Sequence, residues 1–184
     1  MTSRLSRRPR SFRRRPVLGI VGAGEKASSR VVKLAEELGE RAARAGWIVL
    51  TGGREAGVMR AALRGAKKVE GSLTVGILPG RDRAEASPFA DVAIATGMGE
   101  ARNIVNVLSS DVVVACGAGG PGTASEAALA LKAGKPLVLL APSPEAAAFF
   151  AGLGAVRVAE TAAAAVEIAE RERPRRRLPR RRTP

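Results

Sequence analysis

The sequence contains no histidine and only one cysteine among its 184 residues. Without histidine, the chain lacks the commonest general base and the commonest metal ligand of proteins. A single cysteine excludes both a disulfide framework and a thiolate metal site within one chain. Cys116 itself ends an apolar run, so we interpret it as core filler rather than as a nucleophile. We therefore expect no metal site and no required cofactor.

Long apolar runs are also missing. No segment approaches the roughly 18 apolar residues that a membrane-spanning helix needs. The arginines at 13–15 precede the apolar run 17–21, as in a signal peptide, but that run is too short and breaks into Gly24-Glu25-Lys26. The sequence thus predicts a soluble, cytoplasmic protein without a membrane span.

An excess of positive charge occurs only at the two ends of the chain. Residues 1–15 contain seven arginines and no acid, and residues 171–184 contain eight arginines and one acid, Glu172. Of the 31 basic and 17 acidic residues, 16 of each sign remain for residues 16–170, so the net charge of +14 lies in the ends. Such segments bury little and repel themselves, which predicts disorder. We divide the chain into one ligand-binding domain, 16–170, and two disordered basic tails, 1–15 and 171–184.

Two interpretations of these tails stay open. Arginine-rich segments bind nucleic acid, anionic lipid or another polyanion through their charge. Alternatively, the tails are solvated extensions with no selected partner. The scarcity of aromatic residues that could stack on bases favours the second interpretation, since Phe12 is the only ring in either tail. At most, the sequence predicts a weak polyanion contact.

Short, continuously apolar runs alternate with helical periodicity along the body of the chain. The runs predict seven strands, over residues 17–22, 47–50, 73–78, 91–95, 111–116, 136–140 and 155–158. Strands that are apolar on both faces and separated by helices imply a mainly parallel, covered sheet. Right-handed crossovers then give a doubly wound, Rossmann-like α/β fold with three layers, αβα. In that architecture, ligands bind beyond the carboxyl ends of the strands, where strand order reverses.

Three glycine-rich turns follow predicted strands, at 22–24, 52–57 and 117–122. Glycine lets backbone N–H groups approach an anion, and a helix N-terminus adds the positive end of its dipole. Thr123 would cap a helix over 124–133, and Glu126, near the first turn, would stand beside the anion. We predict a phosphate site here, with the alternative that the turns bind nothing. The predicted phosphate-binding residues are Gly22, Ala23, Gly24, Gly52, Gly53, Arg54, Arg102, Asn103, Gly119, Gly120, Gly122 and Thr123.

These turns do not match the common nucleotide-binding motifs. No Gly-Lys-Ser/Thr ending follows, so the third turn is not a P-loop, and the first turn lacks the Gly-x-Gly-x-x-Gly spacing. Thr51-Gly52-Gly53 stands where a ribose-binding acid would follow the second strand, which disfavours a nicotinamide dehydrogenase. Arg102 opens a predicted helix over 101–109, where a cation opposes the dipole. Pairing with a ligand phosphate or with Glu126 would explain that position.

The segments Gly52–Met59 and Gly119–Glu126 resemble the paired glycine signatures of the Lonely Guy superfamily, whose members are often mislabelled lysine decarboxylases. The similarity covers about residues 17–158. Leu78-Pro79-Gly80 and Gly99–Asn103 look closer still to a bacterial branch similar to molybdenum cofactor carrier proteins. The resemblance implies a Rossmann-like fold, a homodimer or higher homo-oligomer, and a phosphorylated ligand at the glycine turns.

The resemblance also implies two alternative functions. In the hydrolase branch, an arginine and the motif glutamate act on the N-glycosidic bond of a nucleoside 5′-monophosphate, and those positions match Arg102 and Glu126. In the carrier branch, the same cleft holds the phosphorylated pterin cofactor without turnover. We predict a carrier or sensor for a molybdenum cofactor-like or nucleotide-like ligand. The alternative is a phosphoribohydrolase with Arg102 and Glu126 as catalytic residues, and not a lysine decarboxylase.

Two departures from the family pattern fall at the predicted phosphate site. Arg54 replaces the third glycine of the first signature. The proline that opens the second signature is absent, and the loop 117–122 looks one residue longer. A bulky cation at position 54 would add a phosphate contact or narrow the pocket. Both departures put hydrolysis in more doubt than anion binding.

Overall fold

The computed structural model describes residues 14–118 and 120–174. The predicted disorder of residues 1–13 and 175–184, and the predicted role of Gly119, therefore lie outside the described residues. The strands are β1 (Val17–Gly22), β2 (Ile48–Thr51), β3 (Thr74–Leu78), β4 (Val92–Ala95), β5 (Val112–Cys116), β6 (Leu137–Leu140) and β7 (Val156–Ala159). The helices are α1 (Ser29–Arg44), α2 (Gly57–Ala66), α3 (Asn103–Ser109), α4 (Pro121–Lys132), α5 (Pro144–Leu153) and α6 (Ala162–Glu172). Short 3-10 helices cover Arg83–Glu85 and Gly99–Arg102.

All seven strands form one parallel sheet in the order β4-β3-β2-β1-β5-β6-β7. The chain first runs outward from β1 to β4, then returns to β5 and runs outward on the other side. Strand order therefore reverses between β1 and β5, where Gly22 is in register with Cys116. This architecture confirms the predicted Rossmann-like fold and places the switch point between the first and third glycine turns.

The helices cover the sheet in two layers. Helices α1, α2 and α6 pack together on one face, and α3, α4 and α5 pack on the other. Each layer closes over its own apolar cluster, with Trp47 in the larger and Phe150 in the smaller. Burial of both faces explains why the central strands read as unbroken apolar runs rather than as alternating patterns.

Two glycines allow α1 and α2 to cross at backbone contact. A Cβ added to Gly39 would lie 2.0 Å from the carbonyl oxygen of Ala62, and one added to Gly65 would lie 1.9 Å from that of Glu36. Real side chains do not approach a backbone oxygen this closely. Both positions must therefore be glycine, which has only a hydrogen atom in place of a side chain.

The element boundaries agree with the predictions to within a few residues, with two instructive differences. Helix α4 begins three residues early, at Pro121, with Gly120 as its N-cap, so the predicted capping role of Thr123 is wrong. Proline favours the first helical position because its φ is already helical and it has no N–H to satisfy. The helix predicted over 101–109 is split into a 3-10 turn that ends at Arg102 and α3. Ser28 caps α1 and Thr161 caps α6, since each hydroxyl accepts a backbone N–H of its helix.

Among residues 14–118 and 120–174, no helix has both the length and the apolar character that crossing a bilayer requires. The same residues contain no group of three or more histidine, cysteine, aspartate or glutamate side chains placed to hold a metal ion.

Candidate functional site

The glycine turns after β2, β1 and β5 lie side by side at the carboxyl edge of the sheet, because those strands are neighbours in the order β2-β1-β5. The first two turns touch directly. The N–H of Val58 donates to the carbonyl of Ala23 at 3.0 Å, and a Cβ on Gly57 would lie 2.0 Å from the carbonyl oxygen of Gly24. Gly57 also has φ of +46°, a left-handed conformation that favours glycine. The glycines of the second turn therefore allow the two turns to pack against each other, besides any role in ligand binding.

Arg102 lies over the second glycine turn. A Cβ added to Gly52 would lie 2.7 Å from Arg102 Nη2 and 2.8 Å from Nη1. The side chain is buried, with 6% of the residue exposed. Its Nε is buried and has no hydrogen-bond partner in the part of the chain that the structure describes. Gly52 is therefore the residue that lets a guanidinium occupy the floor of the cleft.

A buried carboxylate accompanies this guanidinium. Glu126 Oε1 lies 3.7 Å from Arg102 Nη1 and accepts a hydrogen bond of 2.8 Å from Asn106 Nδ2. Both charged side chains are 8% exposed. Glu126 belongs to the second turn of α4, one turn deeper than the sequence suggested, because the helix starts at Pro121. The structure thus confirms that Arg102 and Glu126, 24 positions apart, form one pair.

Burial perturbs the protonation equilibria of both groups. Desolvation raises the pKa of Glu126 above its ordinary value, although the hydrogen bond from Asn106 and the charge of Arg102 oppose the shift. Desolvation also lowers the pKa of Arg102, against the attraction of Glu126, and the positive charge of Arg54 adds to the lowering. A buried carboxyl group with a raised pKa suits general acid or base work, and it equally suits a site that binds a charged ligand.

Arg54 is the second guanidinium at the cleft. Its Nη2 lies 3.0 Å from the position of a Cβ on Gly24 and 3.5 Å from Glu25 Oε2. The Arg54 side chain is 43% exposed, and its backbone forms an isolated antiparallel bridge with Ala86. Met59 lies between the two guanidiniums, since its side chain approaches both Gly24 and Gly52. The substitution of the family's third glycine thus places a solvent-facing cation above the first turn.

The third turn is the open part of the site. A Cβ on Gly120 or on Gly122 would meet no atom within 4 Å. Among the described residues, the first hydrogen bond of α4 runs from the N–H of Ala124 to the carbonyl of Gly120 at 2.8 Å. Gly122 and Thr123 therefore lie in the first turn, where backbone N–H groups have no partner within the helix. Thr123 itself is buried. Because such N–H groups attract anions, this end of α4 is suited to the predicted cradle, and phosphate binding by Gly120, Gly122 and Thr123 stays a prediction.

Three predicted residues make internal contacts instead. A Cβ on Gly22 would collide with Val58, and one on Gly53 would collide with the backbone of Gly76. The N–H of Gly53 donates to Thr51 Oγ1 at 3.0 Å, and the carbonyl of Ala23 is taken by α2. These positions hold the turns together. Their role in binding phosphate stays a prediction.

Asn103, by contrast, reaches the open turn. Its Nδ2 donates to Ser125 Oγ at 3.2 Å, and that hydroxyl donates to the carbonyl of Gly122 at 2.8 Å. This short chain of hydrogen bonds couples the start of α3 to the first turn of α4. Arg102 and Asn103 therefore bind two successive positions of the same helix, and the cleft wall is rigid where the cradle begins.

Sequence reasoning missed Asn106, Ser125 and Met59. Asn106 is fully enclosed, and its Oδ1 has no hydrogen-bond partner among the described residues. It lies four positions after Arg102, and side chains at that spacing share a helix face, so a polar residue there was a usable signal. Met59 ends the first signature and Ser125 lies within the second, but their contacts across the cleft do not follow from either pattern.

The first two residues after β5 adopt left-handed backbone conformations. Gly117 and Ala118 have φ of +73° and +41°, and a left-handed alanine costs about 1 kcal/mol or more. Ala118 is nevertheless buried. Burial also raises the pKa of the Cys116 thiol to about 12, which keeps it protonated and unreactive. The expectation that Cys116 fills the core agrees with this environment.

The raised pKa of Glu126 predicts a specific pH dependence of stability. Between the ordinary value of 4.5 and the raised value, the folded state binds more protons than the unfolded state, so acidification through this window stabilises the folded protein. The contributions of the other carboxyl groups to the pH dependence of stability cancel when the wild type is compared with Glu126→Gln. We expect the free energy of unfolding of the wild type, relative to the variant, to rise as pH falls from 7 toward about 4.5. Urea titrations across that range measure it, and a difference that is constant or falls would contradict the buried site.

Comparisons with known proteins bear on this site. The chain is 45% identical over 125 residues to an uncharacterized protein of Archaeoglobus fulgidus, covering 68% of this chain and 80% of that protein. It is similar to the molybdenum cofactor binding protein of the phototrophic bacterium Rippkaea orientalis, with a TM-score of 0.83, 46% identity, and coverage of 86% and 98% of the two chains. It is also similar to the molybdenum cofactor carrier protein of Chlamydomonas reinhardtii, with a TM-score of 0.81, 48% identity and the same coverages.

A family model also matches the chain over the sheet and all three glycine turns. The model of the SLOG cluster4 family matches residues 15–169, which include both signatures read from the sequence. The predicted resemblance to the Lonely Guy superfamily and to its carrier branch is confirmed. The chain belongs to the SLOG cluster4 family.

Proposed function

We propose that this protein binds a phosphorylated small molecule in the cleft and carries it without turnover. The observation that carries the proposal is the convergence of two guanidiniums, Arg54 and Arg102, with the open N-terminus of α4. Glu126 pairs with Arg102, and the exposed carboxylate of Glu25 lies 3.5 Å from Arg54. A ligand that brings a dianionic phosphate would replace Glu25 as the partner of Arg54 and accept hydrogen bonds from the helix N-terminus.

A molybdenum cofactor-like ligand is the best supported cargo. The two similar structures named above are of proteins that bind or carry that cofactor, and their identity to this chain exceeds 45%. The cleft also fits such a group chemically, because Arg102 Nε and Asn106 Oδ1 are a buried donor and acceptor without partners in the described residues. Gly120 and Gly122 leave open space above the cradle.

Aromatic stacking contributes little to this recognition. Trp47 is buried at the start of β2, at the opposite edge of the sheet, and Phe89 lies beneath the guanidinium of Arg60 at 5.9 Å. Recognition of a pterin or base would therefore depend on hydrogen bonds and charge. A nucleotide-like ligand satisfies the same cradle, so the cargo has to be identified directly.

The direct test is native mass spectrometry of the purified full-length protein, combined with elemental analysis for molybdenum. The proposal expects a small phosphorylated molecule that stays bound through purification. Molybdenum in stoichiometric proportion would identify the cofactor. Protein that carries no small molecule, and that binds neither AMP nor a molybdenum cofactor preparation, would refute the proposal.

The alternative function is a nucleoside 5′-monophosphate phosphoribohydrolase, and one observation favours it. Glu126 is a buried carboxyl group with a raised pKa beside a guanidinium, the arrangement of a catalytic pair. An anionic Glu126 would stabilise an oxocarbenium-like sugar and orient water, while Arg102 would position the phosphate.

Turnover separates the two functions. The protein is incubated with AMP and with cytokinin monophosphates, and free base is measured over time. The carrier proposal expects none, whereas release at enzymatic rates that is lost in Glu126→Gln, with AMP binding retained, would establish the hydrolase.

Substitutions of Arg54 and of Glu25 are expected to change ligand affinity in opposite directions. Arg54→Gly removes an anion contact from the cleft, so AMP affinity should fall by about three- to tenfold, a modest effect because the side chain is partly exposed. Glu25→Gln frees Arg54 for the ligand, so affinity should rise by about twofold. Glu55→Gln is the matched control, because its partner is Arg60. Calorimetry at low salt measures all three, and tighter binding by Arg54→Gly would show that Arg54 narrows the pocket instead.

We also propose that the protein forms a homo-oligomer through the uncovered half of the sheet. The strand register places Val92 and Ile94 on the face that α3, α4 and α5 cover elsewhere. Here no described helix lies over them, and they are 42% and 45% exposed, with Leu108 of α3 exposed nearby on that face. Light scattering of the wild type and of Ile94→Lys tests the surface.

A cytoplasmic location stays a prediction from the sequence.

A further inference from the structure

The carboxyl group of Glu126 lies beside the place where the proposed function puts a phosphate. Glu126 comes four positions after Gly122 and three after Thr123 in α4, so the three share one face of the helix. Helical side chains also tilt toward the helix N-terminus, which brings this carboxyl group toward the first turn. On its other side lies Arg102, whose Nη1 is 3.7 Å from Glu126 Oε1. An anion held between the first turn of α4 and Arg102 is therefore a neighbour of this carboxyl group.

The described residues leave hydrogen-bonding capacity on both charged groups. The contacts of Glu126 with Asn106 and with Arg102 both end on Oε1, so Oε2 is the oxygen left for a ligand. A separation of 3.7 Å is too long for a hydrogen bond, and Arg102 Nε has no partner within residues 14–118 and 120–174. Both side chains are nevertheless buried. An incoming anion thus meets a buried cation and a buried carboxyl group that are close together but not hydrogen-bonded to each other.

The charges within the cleft balance only when the phosphate enters with a proton. Arg54 and Arg102 are positive, Glu126 is negative, and a free phosphate monoester is a dianion at neutral pH because its second pKa is about 6. Once the ligand has displaced Glu25 from Arg54, one negative charge is in excess. An ionised carboxylate beside a phosphate is also repulsive, since it has only acceptors. One proton removes the excess and turns the repulsion into an O–H···O⁻ hydrogen bond.

Glu126 is the group placed to share that proton. Burial is the main cause of its raised pKa, and the charge of the exposed Glu100, in the 3-10 turn that ends at Arg102, adds to the rise. Of the elements that pack against α4, β1, β5, β6 and α3 contain no charged residue. Helix α5 contains only Glu145, which is exposed, and α4 itself adds only Lys132 at its far end.

We propose that the cleft binds phosphate monoesters together with one proton, which is held between a phosphate oxygen and the carboxyl group of Glu126. The inference rests on the proposed function, since it concerns the same ligand and the same cleft. The proton comes from solvent, no bond to phosphorus forms or breaks, and the ester and the proton leave together. Glu126 is thereby a specificity-determining residue. Phosphodiesters and sulfate esters have no oxygen basic enough to share the proton, so the carboxylate repels them.

Calorimetry of AMP binding to the full-length protein at pH 8, in buffers of different ionisation enthalpy, counts the protons taken up. At this pH the free phosphate is a dianion, so the proton is drawn from the buffer. The wild type should take up close to one proton per AMP, and its affinity should fall about tenfold per pH unit between pH 8 and pH 9.

The outcomes of this experiment separate the inference from the proposed function. AMP that binds with an uptake below about 0.3 protons would overturn the inference and leave the proposed function standing. A complete absence of AMP binding would overturn the inference too, and the proposed function would then depend on the molybdenum analysis described above.

Two single substitutions locate the proton. Glu126→Gln keeps the size of the side chain and donates an N–H to the phosphate, so it should bind AMP with an uptake below about 0.3 protons. Glu100→Gln is the matched control, because it removes a neighbouring exposed carboxylate and should keep the wild-type uptake. Retained AMP binding shows that each variant is folded. An uptake that persists in Glu126→Gln, or that is lost equally in Glu100→Gln, would place the proton elsewhere and contradict the assignment.

A sulfate ester of the same shape tests the specificity directly. Adenosine 5′-sulfate has the base and the sugar of AMP, but its sulfate is a monoanion that holds no proton near neutral pH. The wild type should bind AMP at least about a hundredfold more tightly than this analogue at pH 8. In Glu126→Gln that ratio should shrink at least about tenfold, because the amide donates to either ester. An equal ratio in the two proteins would mean that ligand charge alone discriminates, and Glu126 would not determine specificity.

Discussion

Gly65→Ala is expected to lower the free energy of unfolding by about 3 kcal/mol, although alanine is the better helix former. The added Cβ would lie 1.9 Å from the carbonyl oxygen of Glu36, which belongs to the backbone of α1 and has no rotamer to move. The helices would have to separate, at the cost of the packing between them. For a domain of this size, we expect the melting temperature to fall by about 6–12 °C. Urea denaturation at neutral pH measures the change.

Gly152→Ala is the matched control for this substitution. Gly152 also lies inside a helix, α5, but a Cβ there would meet no atom within 4 Å. Helix propensity then acts alone, and the variant should be more stable than the wild type by about 0.5–1 kcal/mol. If both variants changed stability in the same direction, the close crossing of α1 and α2 would be contradicted.

The second large effect is expected for Arg102→Ala, which should reduce ligand affinity by about a hundredfold or more. The substitution removes the cation on the floor of the cleft and leaves Glu126 buried without its charge partner. Losing one member of a buried ion pair costs about 3–5 kcal/mol, so part of the effect should appear as lost stability. Ligand occupancy by native mass spectrometry and AMP affinity by calorimetry measure the binding.

A double variant separates binding from folding. Arg102→Leu/Glu126→Leu removes both buried charges, and replacing a buried pair by apolar groups is often neutral or stabilising. We expect its stability to return toward that of the wild type while ligand binding stays lost. Arg83→Ser serves as the surface control and should keep ligand occupancy. Wild-type occupancy in Arg102→Ala would show that the phosphate binds elsewhere.

The strands, the parallel sheet and the glycine turns at its carboxyl edge were predictable because each depends on a local pattern. Apolar runs of four to six residues can be buried only in a sheet covered on both sides, and glycines directly after them expose backbone at its carboxyl edge. The start of α4 was missed for an equally local reason, since Pro121 outweighs Thr123 as the signal for the first helical turn.

The partners within the site were not predictable to the same degree. The pairing of Arg102 with Glu126 was inferred as one of two explanations, but the hydrogen bond from Asn106 and the contact of Arg102 with Gly52 join residues that share no pattern. Gly22 and Gly53 looked the same as Gly120 and Gly122 in sequence, yet the first two pack against protein and the second two face open space. A glycine-rich sequence indicates that the backbone is accessible. Only the tertiary packing decides whether protein atoms or open space lie against it.

The chain's order of residues alone therefore established a Rossmann-like domain and an excess of arginine at both ends, and it predicted an anion-binding edge of the sheet. Tertiary structure decided which amides stay open, which guanidinium is buried, and that Arg15 and Arg173 meet at Trp47 on the far edge of the sheet. The physical reason is the range of the interactions. Helix and strand periodicity is set by neighbours within a few positions, whereas burial and charge pairing arise between residues that the strand order brings together from distant parts of the chain.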